Sequence, residues 1–532
     1  MGASYDVAVV GFGPSGAVAA GLLGREGVRV VVCERSRTVY EKPRAIALDH
    51  EIMRVLQQLG VVERVEPWIA PFRPSEYYGV DGQLIKRIHT VEPPYPLGYI
   101  PTLVFTQPPV ETALREHVSA MPSVEVLLGS EMVGLQQKDD QVTLDLRDED
   151  GTSSNVNAQY VIGCDGAWST TREMVGIKFE DLVFDEPWLV VDVLANEKGL
   201  RKLPESSIQY CEPQRPCTYV IGPKNHRRWE ISLLPGEDPK ETATEAGTWR
   251  LLSRWITPED GKLWRQTSYR FHALVAREWR RGRVFIAGDA AHQQPPFIGQ
   301  GMAQGVRDVA NLTWKLKSVL DGRARDALLD TYQQERTLHV RRLTTRLKEL
   351  GAVICERDID KARHRDAVLL AEQGGEVRTI TRQEIVPPLE TGMMSSQPSA
   401  ANGTLFPQPW ILQSGKRVRM DELCGTGWRL VTNAAAMPAV TVPVETVQQL
   451  QLTVAHVATD DDSATSGTLR EAEGVLGQWF RRHECVAAIV RPDHYVYGVA
   501  ANINSLISQL SELNEQLGLP GPDAQVKTIA WG

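Results

Sequence analysis

Tyr5-Asp6-Val7-Ala8-Val9-Val10-Gly11-Phe12-Gly13-Pro14-Ser15-Gly16 is an apolar run of strand length that breaks into a glycine-rich turn. Residues 5–10 carry the unbroken hydrophobicity of a parallel strand buried on both faces. Ala17 to Gly24 are small and helix-compatible, and Val28-Arg29-Val30-Val31-Val32-Cys33-Glu34 reads as a second strand closing on an acid. Strand, glycines, helix, strand and acid at this spacing make a dinucleotide-binding unit. Gly11 permits the tight turn, Gly13 lets the backbone approach a pyrophosphate, and Gly16 lets helix and strand pack closely. The helix start offers free N–H groups and a positive dipole end to the phosphates. Glu34 is placed to accept hydrogen bonds from a ribose. This unit alone does not distinguish FAD from NAD.

Two later segments narrow the reading. In Gly282-Arg283-Val284-Phe285-Ile286-Ala287-Gly288-Asp289-Ala290-Ala291-His292, residues 283–287 read as a strand with Asp289 at its carboxyl end. That is where α/β sheets bind ligands, so Asp289 can bond ribityl or pyrophosphate oxygens. Pro295, Pro296, Gly299 and Gly301 then make a rigid, closely approachable loop before the helical run Val306 to Leu316. The start of that helix can aim N–H groups at a flavin carbonyl. Between these ends, the strand Tyr160 to Cys164 runs into Asp165-Gly166-Ala167-Trp168-Ser169-Thr170-Thr171-Arg172. An Asp-Gly turn is common, and its value here comes from position. No second strand–glycine–helix unit appears, which argues against a separate nicotinamide domain.

The three segments in this order resemble the FAD-dependent aromatic hydroxylases, single-component flavoprotein monooxygenases with the p-hydroxybenzoate hydroxylase fold. Pro43-Arg44-Ala45-Ile46-Ala47-Leu48-Asp49-His50-Glu51-Ile52-Met53-Arg54 is similar to the corresponding segment of the 3-(3-hydroxyphenyl)propionate hydroxylase and phenol hydroxylase group. The likeness is dense over 1–180 and 280–345 and weaker over 184–275. It implies an α/β protein with a Rossmann-like FAD-binding domain, an inserted β-rich substrate domain and a C-terminal thioredoxin-like α/β domain. The expected boundaries are 1–75, 100–183 and 276–395 for the discontinuous FAD domain, 76–99 and 184–275 for the substrate domain, and 400–532 for the last. The resemblance also implies noncovalent FAD, NAD(P)H as cosubstrate, and FAD contacts from Arg35, Arg44, Gln107, Asp165, Gly299, Gly301 and Met302. In the implied cycle NAD(P)H reduces the flavin, oxygen adds at C4a, and the hydroperoxide passes its terminal oxygen to an electron-rich ring.

A phenolic ring reacts better as phenolate, so a general base is useful. Asp49 is the first candidate and His50, with its near-neutral pKa, the second. The competing reading makes Asp49 the cap of the helix beginning at the next residue. The stretches Trp188 to Leu194, Ser207 to Cys211, Thr218 to Ile221 and Arg228 to Leu234 are β-rich and predict a sheet roofing the flavin. Tyr210 and Tyr219 on those strands, with Pro296, are the candidate substrate contacts. Downstream, residues 326–349 read as helix and 373–409 as a linker. Strands are expected at 428–431, 452–455 and 487–493, a helix at Leu469 to Arg481, and a solvated loop at Asp460-Asp461-Asp462-Ser463.

At 532 residues the chain has room for two to four domains, and its 42% hydrophobic content suits a globular protein. A net charge of −9 speaks against a general nucleic-acid binder. The seven cysteines form no Cys-x-x-Cys pair and no zinc-like spacing, so no metal is expected and a reducing compartment is. No run approaches the ~18 apolar residues of a membrane span, and the first strand begins too early for a signal peptide. A cytoplasmic enzyme acting on a small aromatic substrate is therefore expected, with a homodimer left open. The alternatives are the same chemistry on a polyketide, quinolone or antibiotic-type substrate, and a non-catalytic FAD protein that binds an aromatic ligand.

Overall fold

Ser4–Val10 lies at the centre of a parallel sheet in the order Val284–Ile286, Ser153–Gly163, Ser4–Val10, Val30–Glu34, Val124–Leu128. All four pairings are parallel. Val7, Val9, Val30, Val31, Val32, Val161 and Ile162 are completely buried, as the unbroken apolar runs dictate. This computed structural model describes residues 4–437, 440–459, 467–519 and 526–529; the acidic run 460–463 lies outside them. Two helices cover the sheet at the glycine-rich turn, Pro14–Arg25 and Gly301–Leu320. They meet so closely that a Cβ on Gly305 would fall 2.3 Å from Ser15 Oγ.

A second sheet of nine strands stands over the carboxyl edge of the first. Its central antiparallel strands are Gly261–Ala276, Phe179–Ala195, His226–Ser232, Cys217–Ile221 and Ser207–Tyr210, and it continues through Ser75–Tyr78 and Leu84–His89. Side chains alternate between its faces. Leu189, Val191, Tyr219, Trp229 and Ile231 pack outward with Leu252 and Ile256 in a core of their own. The other face looks down on the parallel sheet.

The C-terminal region builds a third sheet of seven strands, with Arg429–Asn433, Thr453–Ala458 and Ala487–Val490 at its middle. Two expectations are corrected here. Residues 469–471 are a strand on this sheet, and the helix spans Val475–Arg482 after Gly474 turns the chain. The stretch 373–409 is no free tether, because Ile385, Leu389, Met393, Ala401 and Phe406 are buried. Short polar and Pro/Gly-rich sequence resembles linker locally; the partners that bury it are distant in the chain.

Two buried ionic clusters join this region to the rest. Asp421 receives Arg54 Nε at 2.6 Å, Arg54 Nη2 at 3.0 Å and Arg429 Nη1 at 2.6 Å. Glu335 receives Arg491 Nη2 at 2.7 Å, Lys315 Nζ at 2.9 Å and Asn311 Nδ2 at 2.6 Å. Burying so many charges is tolerable only because each is paired and hydrogen-bonded.

Candidate active site

Four parallel strands end on one rim, and the residues at and just beyond their carboxyl ends line a single cavity of about 1060 Å³: Val10-Gly11, Cys33-Glu34, Cys164-Asp165 and Ala287 with Asp289. The crevice beyond the carboxyl ends of an α/β sheet is where such folds bind ligands. The volume exceeds the ~300–1,000 Å³ range of single-ligand pockets, which gives room for an elongated cofactor and a small ring together.

The glycine turn divides its labour. Gly11 has φ +94°, and a Cβ there would lie 2.6 Å from the Cys164 carbonyl oxygen. A Cβ on Gly16 would lie 1.9 Å from the Gly11 carbonyl oxygen. Gly13 differs: it has an ordinary φ of −67°, it lines the cavity, and a Cβ on it meets no protein atom within 4 Å. The space beside Gly13 is free of protein and faces the positive end of helix Pro14–Arg25, which suits an anionic pyrophosphate. Glu34 sits beside it, receiving Phe12 N at 2.7 Å and Ser36 N at 2.8 Å. Arg35 and Arg44 are exposed on the same wall. Gln107 orients that wall, its Oε1 accepting from the backbone N of Arg44 at 3.0 Å and of Ala45 at 2.6 Å.

Asp165 accepts from Ser169 Oγ at 2.5 Å and Thr171 N at 2.8 Å, which shapes its turn. Arg172 stacks over Phe179 with 4.1 Å to the ring centroid and donates to the carbonyls of Ala167 and Ala290. It thereby ties the Asp-Gly turn to the neighbour of Asp289. Asp289 opens onto the cavity, and its carboxylate accepts no hydrogen bond from the described residues. Enclosure by protein raises its carboxyl above the usual carboxylate range. Open to the cavity at a strand's carboxyl end, it is free to accept donors from a ligand. Beyond it Pro296, Gly299, Gly301 and Met302 complete the lower wall. Gly301 and Met302 open a 20-residue helix, so their N–H groups have no partner within it. These features fit an elongated dinucleotide with a flavin end. Asp289→Ala is expected to weaken FAD binding about ten- to a hundredfold, the worth of a lost hydrogen bond of about 1–3 kcal/mol. An unchanged FAD dissociation constant in equilibrium dialysis would contradict it.

The structure places Asp49, His50, Tyr210 and Tyr219 outside the cavity lining. Asp49 caps helix His50–Leu59, accepting from Glu51 N and Ile52 N at 3.2 Å, and pairs with Arg307. Arg307 also holds Glu51 and Gln300 Oε1, fixing the start of the Gly301–Leu320 helix. Burial would raise the Asp49 carboxyl, but the Arg307 guanidinium holds it below the usual range. His50 is driven down to about 4 by burial, so it is neutral. Asp49→Asn keeps a capping oxygen but weakens a buried charged pair. It should lower stability on the order of 1–3 kcal/mol while oxygen use stays coupled to product; a shift of that oxygen use to H₂O₂ would restore Asp49 as a base.

Tyr210 and Tyr219 point out of the roof. Tyr210 accepts from Trp255 Nε1 at 3.0 Å, and Tyr219 is fully buried against Trp229. The inward face instead presents Tyr77, Gln209, Thr218, Arg228 and Glu230, with Arg265 and Tyr269 from strand Gly261–Ala276. These were missed, although Arg228-Trp229-Glu230-Ile231-Ser232 carries the signal: polar residues alternate with apolar ones. Asp192 receives His226 Nε2 at 2.7 Å and Arg228 Nε at 2.7 Å. Burial would raise its carboxyl, but Arg228 and His226 hold it below the usual range. Arg228 Nη1 and Arg265 Nη1 donate to the carbonyls of Arg44 and Pro43, which clamps roof to floor. On the far wall Arg382 is 6% exposed, and its Nε and Nη2 have no hydrogen-bond partner among the described residues. Among the described residues no group of three or more His, Cys, Asp or Glu could hold a metal ion, and no helix is long and apolar enough to cross a membrane.

Comparison with known proteins agrees with this geometry. Residues 4–347 match the family model described as FAD binding domain, and 403–513 that of the HcaD C-terminal domain. The chain is 36% identical over 513 residues to a probable NADH-specific resorcinol 4-hydroxylase of Rhodococcus jostii, covering 96% of this chain and 94% of that protein. It is 31% identical over 512 residues to a 3-(3-hydroxy-phenyl)propionate/3-hydroxycinnamic acid hydroxylase of Burkholderia cenocepacia, covering 92% and 93%. The crystal structure of the flavin-dependent monooxygenase PieE superposes with a TM-score of 0.81 at 21% identity, over 97% of this chain and 100% of that one. With its dinucleotide turn, its unpaired Asp289 and a family match across the whole parallel sheet, the chain belongs to the FAD-binding family of flavin-dependent aromatic hydroxylases.

Proposed function

We propose that the protein hydroxylates a small phenol of the resorcinol type, consuming NADH and O₂ and releasing NAD⁺ and water. The observation that carries this reading is one continuous cavity, running from the pyrophosphate turn at Gly13 to a roof face of hydrogen-bonding side chains. The 36% identity to a resorcinol hydroxylase across nearly the whole chain supports the substrate class. Bound FAD supplies the two-electron oxidation of NADH and the activation of O₂.

The residues of the chain bind, orient and exclude water. Gly11, Gly13, Glu34, Arg35 and Arg44 would hold the adenosine and pyrophosphate end, with Gln107 and Asp165 shaping its walls. Asp289 would accept from the ribityl chain, and Gly299, Gly301 and Met302 would meet the flavin. Pro296, Phe297 and Phe271 supply apolar walls for the ring, while Gln209, Thr218 and Arg382 offer its oxygens donors and acceptors. Roof and floor are clamped through Arg228 and Arg265, so water is kept from the ring during oxygen transfer. We place the enzyme in the cytoplasm, where NADH is supplied.

The test is NADH oxidation over a panel of phenols, with product mass. Resorcinol and its alkyl derivatives should stimulate NADH oxidation and yield products heavier by one oxygen atom. A panel without a hydroxylated product would sink the reading.

A further inference from the structure

The sequence candidates for a base turn away from the cavity, and the inner face of the roof holds another carboxylate. Glu230 lies in the middle of His226–Ser232, between Val190 and Thr218 on the flanking strands. All three line the cavity. Glu230 is 6% exposed, yet it receives no hydrogen bond from the described residues. The nearby cations are already engaged. Arg228 is held by Asp192 and by the carbonyls of Pro43 and Arg44. Arg265 is held by Pro43 and the Tyr269 hydroxyl. On the other side Thr218 Oγ1 donates to Gln209 Oε1 at 2.5 Å. The Glu230 oxygens open onto the cavity, where a ligand can bring the donor. In a site for a phenol, that donor is the ring hydroxyl.

We propose that Glu230 is the proton acceptor for the substrate's ring hydroxyl. The inference rests on the phenol-hydroxylase function. The O–H bond breaks, its proton passes to the Glu230 carboxylate, and the electron pair stays on the ring oxygen as phenolate, which activates the ring toward oxygen transfer. The proton returns to solvent when product leaves. The electrostatics suit the task. Burial pushes the Glu230 carboxyl up to about 7, with Arg228 and Arg265 pulling it down and Asp192 pushing it up. A base poised near the working pH is the efficient one. The groups facing it are Arg228 on its own strand, Asp192 and Arg265 on the two strands to one side, and Thr218 and Gln209 on those to the other, with His226 bound to Asp192.

The experiment compares the parent holoenzyme with Glu230→Gln and Glu230→Asp. Glu230→Gln should keep full FAD, while hydroxylated product per NADH oxidised falls by ~100-fold or more, within the range a positioned base contributes. The missing oxygen should appear as H₂O₂. Parent kcat/KM should rise through about pH 7 as the carboxylate forms. The variant should lose that limb and recover only toward pH ~10, or with phenols acidic enough to ionise unaided. Glu230→Asp should keep the limb at reduced rate. Equal product yield from Glu230→Gln and parent overturns the assignment of Glu230. A parent profile flat from about pH 6 to 8 overturns it whether or not the variants fold. A parent that hydroxylates no phenol overturns the functional reading first, and that failure is seen in the parent alone.

Discussion

Gly13→Val is expected to give a folded, colourless protein. A valine at φ −67° is unstrained, and its Cβ would meet no atom of the described residues within 4 Å. It enters the cavity where the pyrophosphate would lie against the helix N-terminus. The flavin-to-protein absorbance ratio should fall close to zero, with far-ultraviolet circular dichroism unchanged. Gly11 and Gly16 behave oppositely. A Cβ on either strikes backbone, at 2.6 Å and 1.9 Å, so Gly11→Val or Gly16→Val should damage folding as well as flavin binding. A yellow Gly13→Val protein with stoichiometric FAD would remove the turn from the cofactor site.

Asp421→Ala should be strongly destabilising, although it lies away from the cavity. Asp421 is the carboxylate between Arg54 of the FAD region and Arg429 of the C-terminal sheet, and both guanidiniums have no solvent-exposed side-chain surface. Removing it leaves two buried cations uncompensated, a loss on the order of 3–5 kcal/mol. Denaturant unfolding followed by flavin fluorescence would read it, because the helix that carries Arg54 is capped by Asp49 beside the Arg307 network. The pH dependence has a definite sign. Burial would raise the Asp421 carboxyl, but Arg54 and Arg429 hold it well below the usual range. Its contribution is therefore fully present above the unfolded carboxylate pKa of ~4 and is lost as pH falls below that. The gap between parent and variant should narrow in acid. An unchanged denaturation midpoint at neutral pH would show that the C-terminal sheet is not latched through Asp421.

The family and its cofactor were legible in the sequence because the dinucleotide site is built from consecutive residues. Gly11 to Gly16 make the turn, and Asp289 comes directly after its strand, so spacing alone placed them. Strand positions in the roof were legible for the same local reason. Which face of a roof strand looks inward was not, since a period-two pattern names two faces and only packing chooses between them. Tyr219 and Trp229 went to the outer core, leaving Thr218 and Glu230 at the cavity. Asp49 looked catalytic by resemblance until Arg307, 258 positions away, claimed its carboxylate. By itself the sequence determined the parallel sheet and the glycine turn, which are properties of local spacing, and it carried the family resemblance that implies the flavin chemistry. Tertiary structure alone decided which roof carboxylate faces the cavity unpaired and how the C-terminal sheet is latched, because both depend on partners that only folding brings within hydrogen-bond reach.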